Sequence, residues 1–348
     1  MPMEDKRSGT RTRLLTFIDG DHINTVSIII CREDEMTFEE TIQSQQPVLT
    51  EGSAVERLRR NPDVTLDPEI AHAGLIYSED GRRALAEIYG QYLSIGRRYD
   101  LPMLTLAPTW RANPERADKA GFGTVEEINR DCVKFLKTIQ NGCGNYQSRV
   151  FVAGMVGCRG DAYNPAEALN AQASDQFHTR QVEALASTGV DFIKAATLPA
   201  VSEALGIARA IGKTGTPSVL SFVIRPDGTV LDGTPLHAAV EMIDSEANPA
   251  PAFYMVNCVH PTVFMSGMST ETAISDKVTR RVLGFQANTS AKSPEELDSL
   301  PYLDTTEPDA FAEMMLEIHK KFGTRILGGC CGTDDSHIEK IAEKLSSA

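Results

Sequence analysis

Three cysteines carry the clearest chemistry in this 348-residue sequence. Two are adjacent, in Arg325-Ile326-Leu327-Gly328-Gly329-Cys330-Cys331-Gly332-Thr333-Asp334. Neighbouring side chains on a regular strand point to opposite faces. Both thiols can face one ion only where the backbone leaves strand geometry, and the flanking glycines permit that turn. The third is Cys258, just past the apolar run Tyr254-Met255-Val256-Asn257 and before Val259-His260-Pro261. Three thiolates suit a soft or borderline ion, above all zinc. A structural zinc site takes four protein ligands, whereas three with one open position is the catalytic pattern.

An open zinc position can activate a thiol. A free thiol has a pKa of about 8.5, so roughly 3% is thiolate at neutral pH, and coordination deprotonates it. Going from ~3% to full thiolate is worth roughly 2 kcal/mol, and orientation toward an electrophilic carbon adds to it. The same position can instead hold a hydroxide for hydrolysis, though hydrolytic sites favour His and carboxylate ligands. Cys31, Cys132, Cys143 and Cys158 read as packing residues. With seven cysteines, an odd number, a disulfide framework is not expected.

The elements that would position these thiols alternate along the chain. Apolar strand-like runs start at Val48, Met103, Val150, Phe192, Ser218, Phe253, Val282 and Ile326. Helical periodicity or long connections follow each, as at 82–98, 125–139, 165–188, 200–212, 236–245 and 309–322. Thr333-Asp334-Asp335-Ser336 supplies an N-cap for a last helix over Ile338 to Leu345. Eight such units predict an α/β fold, a (β/α)8 TIM barrel over residues 47–348, with an open doubly wound sheet as runner-up. No Gly-x-Gly-x-x-Gly follows the first strand. Residues 1–46 read as an N-terminal extension. In it, Leu14 to Ile18 and Ile23 to Ile30 flank Asp19-Gly20-Asp21-His22 and predict a β-hairpin. Ile18-Asp19-Gly20 also imitates a first-strand ending. Starting the barrel there would leave some 80 residues before the next strand, so Glu51-Gly52 is preferred. Barrel active sites lie at the C-terminal strand ends, which is where all three cysteines fall.

Composition narrows the partners. Net charge is −14, so no nucleic-acid partner is expected. No apolar window is long enough for a membrane span, and the N-terminus lacks a signal-peptide core, so a cytoplasmic protein is expected. Oligomeric state, including a homo-oligomer, stays open.

On these residues the sequence resembles the homocysteine S-methyltransferase family. Asn257-Cys258 and, about 70 residues later, Gly328-Gly329-Cys330-Cys331-Gly332-Thr333 look like its metal signature. Val48-Leu49-Thr50-Glu51-Gly52, Gly154-Met155-Val156-Gly157, Gly189-Val190-Asp191-Phe192, Thr197-Leu198-Pro199 and Glu203-Ala204 match in order. The resemblance implies a zinc-dependent barrel that moves a methyl group from a small-molecule donor to a small-molecule thiol acceptor, giving methionine from homocysteine. It implies Cys258, Cys330 and Cys331 as catalytic zinc ligands, with Glu51, Gly52, Thr197 and Asn257 on the substrate side. Family donors include S-methylmethionine, S-adenosylmethionine, betaine and methylated folate or cobalamin. A sulfonium is the simplest inference for a chain of this size.

Two departures stand out. Glu51-Gly52 replaces the usual Asp-Gly, and Ala196-Thr197 replaces the usual Glu-Thr. The carboxylates in question would receive the amino group of homocysteine. After the second strand, Arg111 is placed to receive a carboxylate and Trp110 to face a sulfonium by cation–π contact. His260 is a candidate neighbour of the metal site, and Arg159 and Asp161 a candidate ion pair. A zinc hydrolase on the same barrel and a non-catalytic zinc- or thiol-binding homologue are the alternatives.

Overall fold

The computed structural model describes residues 11–19, 22–30, 36–270, 276–292 and 305–347. Two strands, β1 (Arg11–Asp19) and β2 (His22–Ile30), pair antiparallel as the hairpin expected around the Asp-Gly turn. Cys31 lies outside the described residues.

Eight further strands close a parallel barrel: β3 (Val48–Thr50), β4 (Met103–Leu106), β5 (Val150–Val156), β6 (Phe192–Leu198), β7 (Ser218–Phe222), β8 (Phe253–Asn257), β9 (Val282–Ala287) and β10 (Ile326–Gly329). β10 pairs with both β9 and β3, which closes the ring. These are the strands expected from sequence, and the open sheet is excluded. β3 sits between β10 and β4, so the first barrel strand does end at Glu51-Gly52.

The strands read as short β-branched and aliphatic runs because both faces are buried. One face packs on the surrounding helices. The other fills the lower barrel with Val48, Leu104, Phe151, Phe192, Val219, Phe253 and Ile326. The helix Phe38–Gln43 belongs to this floor, although it lies on the N-terminal side of the expected division at 46/47. It starts on a capping box between Thr37 and Glu40. Its Phe38 stacks on Phe192 with ring centroids 4.5 Å apart, and the Ile42 carbonyl accepts from Arg325.

Above the apolar floor the interior turns polar. Thr50, Lys194, Ser221, Asn257 and Gln286 are all buried there. Gln286 donates to the Thr50 hydroxyl at 2.7 Å and accepts from the Lys194 ammonium. No residue larger than glycine fits at 328, because a Cβ there would fall on Thr50 Oγ1. The helices match expectation to within a few residues, except that the connection from β5 to β6 is a 3-10 turn at Pro165–Glu167 followed by a helix only from Ala171 to Ala186. Among the described residues, no helix is long and apolar enough to cross a membrane.

Candidate metal centre and its surroundings

β8 and β10 deliver the cysteines to the C-terminal mouth. The Sγ atoms of Cys258, Cys330 and Cys331 all lie within 4.8 Å of one another. The edge of a tetrahedron with metal–sulfur bonds of about 2.3 Å is roughly 3.8 Å, so the cluster is on the scale of one ion. Within it, Cys258 Sγ and Cys330 Sγ are 2.6 Å apart. Hydrogen bonds from the Cys330 and Cys331 thiols hold Cys258 well below its ordinary pKa, while facing Cys258 pushes the other two up.

The backbone that presents them is specific. Cys258 has φ 57°, an unusual value for a residue with a Cβ. Its N–H is tied to the Gln286 carbonyl at 3.1 Å. Cys330 N–H donates to Ala287 O at 2.8 Å, and Cys331 N–H to Asn288 Oδ1 at 3.0 Å. Gly332 takes φ 83° and its N–H reaches Glu56. Thr333 returns its hydroxyl to the Cys330 carbonyl at 2.6 Å. Asp334 then caps the helix Asp335–Ser346, accepting from Ser336 and His337 N–H.

Asn257 is the pin between β8 and β6. Its Oδ1 accepts from Thr197 N–H at 3.0 Å and from the Ser221 hydroxyl at 2.6 Å, and its amide donates to Thr197 Oγ1 at 2.7 Å. Thr197 in turn sits at φ 60° with its hydroxyl 3.9 Å from Cys258 sulfur. Such strain persists only when the surroundings enforce it. Asn257→Ala is therefore expected to leave the barrel folded and to weaken metal retention roughly ten- to a hundredfold, read by chelator competition. Unchanged retention would show that Thr197 holds its place without Asn257.

The remaining sequence candidates are placed as follows. Glu51 is buried in the wall, where its Oε2 accepts from the Thr105 hydroxyl at 2.8 Å and Leu106 N–H at 3.1 Å. Burial pushes its carboxyl up to about 7, against the pull of those donors. Gly52 lies where a side chain would strike Tyr92 and Thr333. Trp110 is half-buried and donates its indole N–H to the Ala196 carbonyl at 3.2 Å. One face of its ring is covered by Arg111, whose guanidinium carbon is 4.5 Å from the centroid. Arg111 also donates to Gly160 O at 3.1 Å. Trp110 and Arg111 help to line a cavity of about 640 Å³ with Arg59, Asp67 and Arg116.

Some expectations are corrected. Arg159 pairs with Glu115 at 2.9 Å, not with Asp161, which instead accepts from Tyr163 N–H. His260, for which the sequence allows a structural role as well as one beside the metal site, caps the helix Pro261–Gly267 through Thr262 N–H, and its Nε2 also approaches Thr306. Cys132 and Cys158 are buried away from the cluster, and burial raises both thiols.

Two neighbours escaped the sequence reading. Tyr163 faces the three cysteines from the loop after β5, and their sulfurs together with burial push its phenol up, although nothing in the local sequence marks it. Lys194 is 1% exposed, inside the barrel. Its position two residues beyond the interior Phe192 was a usable signal, because alternate strand residues share a face.

The donor set fits a metal on its own chemistry: three sulfurs, no competing hard ligand in the cluster, and fixed backbone positions. Comparisons with known proteins agree with this geometry. Residues 39–345 match the family model described as Homocysteine S-methyltransferase. Betaine–homocysteine S-methyltransferase 1 of Danio rerio is 21% identical over 88% of this chain and 75% of its own length. Selenocysteine Se-methyltransferase of Brassica oleracea var. italica is 27% identical over 49% of this chain and 48% of its own, so that match spans about half of the relative. The metallated form of the Escherichia coli homocysteine methyltransferase MmuM superposes with a TM-score of 0.67 at 19% identity, covering 87% of this chain and 98% of that one. The oxidized form gives 0.69. At this identity the superposition establishes the barrel fold. None of these matches favours the hydrolase reading.

Proposed function

The chain belongs to the homocysteine S-methyltransferase family, and from that premise we propose that it transfers a methyl group from a sulfonium-type donor to homocysteine or a related small thiol, using zinc held by Cys258, Cys330 and Cys331. The observation that carries this reading is the convergence of three thiols at the mouth of a closed barrel. Bound there, zinc would supply Lewis acidity at an open position, where an acceptor thiol can lose its proton.

The chain's own residues supply the rest. The acceptor sulfur must line up with the donor's methyl carbon. As the new S–C bond forms, the donor's C–S bond breaks and its electron pair stays on the donor sulfur, which leaves as a neutral thioether. Thr197 and Asn257 hold Cys258 against the acceptor side. Glu51 and Gly52 form the wall beside it, and Trp110 and Arg111 the rim. The 640 Å³ cavity beside Trp110 is of a size that holds small molecules. A sulfonium brought against the Trp110 indole would gain cation–π attraction, which is lost when the charge is discharged.

Metal analysis of the purified protein should find about one zinc per chain. A screen of sulfonium donors against small thiols should give a methyl thioether for at least one pair. Zinc-replete protein that methylates no thiol with any sulfonium would overturn the reading.

A further inference from the structure

The layer under the thiols holds a cation that no ligand role accounts for. Lys194 is 1% exposed, and among the described residues no other lysine or arginine is buried. It shares the interior face of β6 with Phe192, so it stands in the polar layer between the apolar floor and the mouth. Its ammonium donates to Gln286 Oε1. Gln286 is in register with Asn257 and Gly328, which lie one residue before Cys258 and two before Cys330. The Gln286 carbonyl accepts from Cys258 N–H at 3.1 Å. The charged groups that Lys194 faces are Cys330, Glu51 and Cys258, and it meets them as a charge rather than as a hydrogen-bond donor.

That placement matters once an ion is bound. Three thiolates exceed the charge of a divalent ion by one, and an ionised Glu51 adds another negative charge. An acceptor thiolate at the open position adds one more. Tyr163 also faces the cysteines, but it stays a neutral phenol, pushed up by their sulfurs and by burial. Negative charge enclosed without compensation is costly, and so is an ammonium buried without counter-charge. The thiolates and Lys194 answer each other's cost. Being buried, the pair is little screened by salt.

We propose that Lys194 is a positioning residue of the metal centre: its enclosed ammonium offsets part of the charge of the metal-bound thiolates and so sets how tightly the ion is held. The inference rests on the zinc reading of the cluster above and deepens it.

The test uses the full-length protein under reducing conditions, as the parent, Lys194→Gln and Lys194→Arg. Lys194→Gln keeps an N–H donor for Gln286 and drops the charge, whereas Lys194→Arg keeps the charge. Chelator competition should show zinc held about ten- to a hundredfold more weakly by Lys194→Gln, with Lys194→Arg close to the parent. Cobalt(II) in place of zinc supplies a readout that packing alone would not move. A nearby cation stabilises the sulfur lone pairs. The thiolate-to-cobalt charge-transfer band should therefore shift to longer wavelength in Lys194→Gln and return in Lys194→Arg. Either readout unmoved in folded Lys194→Gln, or unrestored in folded Lys194→Arg, overturns the inference and leaves the zinc site standing. A parent protein that holds no zinc overturns the zinc reading as well. If Lys194→Gln does not fold even in excess zinc, Lys194→Met takes its place. If that variant also fails to fold, the ammonium serves the barrel rather than the ion, and the inference is overturned.

Discussion

Cys330→Ser is expected to remove the metal and the methyl-transfer activity together. The substitution is nearly isosteric, so the packing of the mouth survives it. What changes is the ligand, since a serine hydroxyl is a hard, neutral donor where a soft thiolate stood. Cys330 Sγ also lies 2.6 Å from Cys258 Sγ, so its loss removes a direct contact within the cluster. Without the ion, an acceptor thiol returns to its few-per-cent thiolate fraction and loses its orientation. Those two effects together are worth about 4 kcal/mol, or roughly a thousandfold in rate. Elemental analysis should show metal falling from about one equivalent to a small fraction. Cys143→Ala, on a half-buried thiol outside the cluster, should alter neither quantity. Cys330→Ser retaining both metal and activity would sink the mechanism.

The barrel was legible in the sequence because its strands are short, doubly buried and separated by amphipathic helices. Each run from Val48 to Ile326 announces itself without reference to the others. The thiol centre was legible for a different reason. Strand ends in a parallel barrel share one rim, so Cys258 and the Cys330-Cys331 pair must meet there although about 70 residues separate them. What depends on conformation at single residues was not legible. β6 runs on through a register shift to Leu198, with Thr197 at positive φ. No local propensity announces that, because Asn257 on another strand enforces it. The floor helix Phe38–Gln43 was hidden similarly. Its acidic, polar composition looks like a connection, and only Phe38, Thr41 and Ile42 are buried. Arg159 was assigned the acid nearest in sequence, whereas Glu115 approaches from another loop. In each case the deciding partner is remote in sequence.

Glu203 shows how far such remote organisation reaches, and Glu203→Ala is expected to be among the most damaging substitutions outside the cysteines. The carboxylate is 0% exposed in the first turn of the helix Val201–Gly212. It accepts from Arg159 N–H at 2.8 Å, from Leu169 N–H at 3.3 Å and from His178 Nε2 at 3.0 Å. Arg159 and Leu169 lie near the two ends of the long connection after β5, and that connection places Tyr163 facing the thiol cluster. Removing the carboxylate leaves two part-buried N–H groups and a buried imidazole without their acceptor, and His178 Nδ1 already lacks a partner. Each orphaned group costs about 1–3 kcal/mol, so a loss of roughly 3–5 kcal/mol is expected. It would appear as a lower urea midpoint and as easier proteolysis between β5 and the helix Ala171–Ala186. Glu203→Gln separates shape from charge. Its amide oxygen can still accept from the two backbone N–H groups, so it should recover at least half of the lost stability. If Glu203→Gln proves no more stable than Glu203→Ala, the charge opposite His178 governs the connection; if Glu203→Ala is as stable as the parent, Glu203 does not organise it at all.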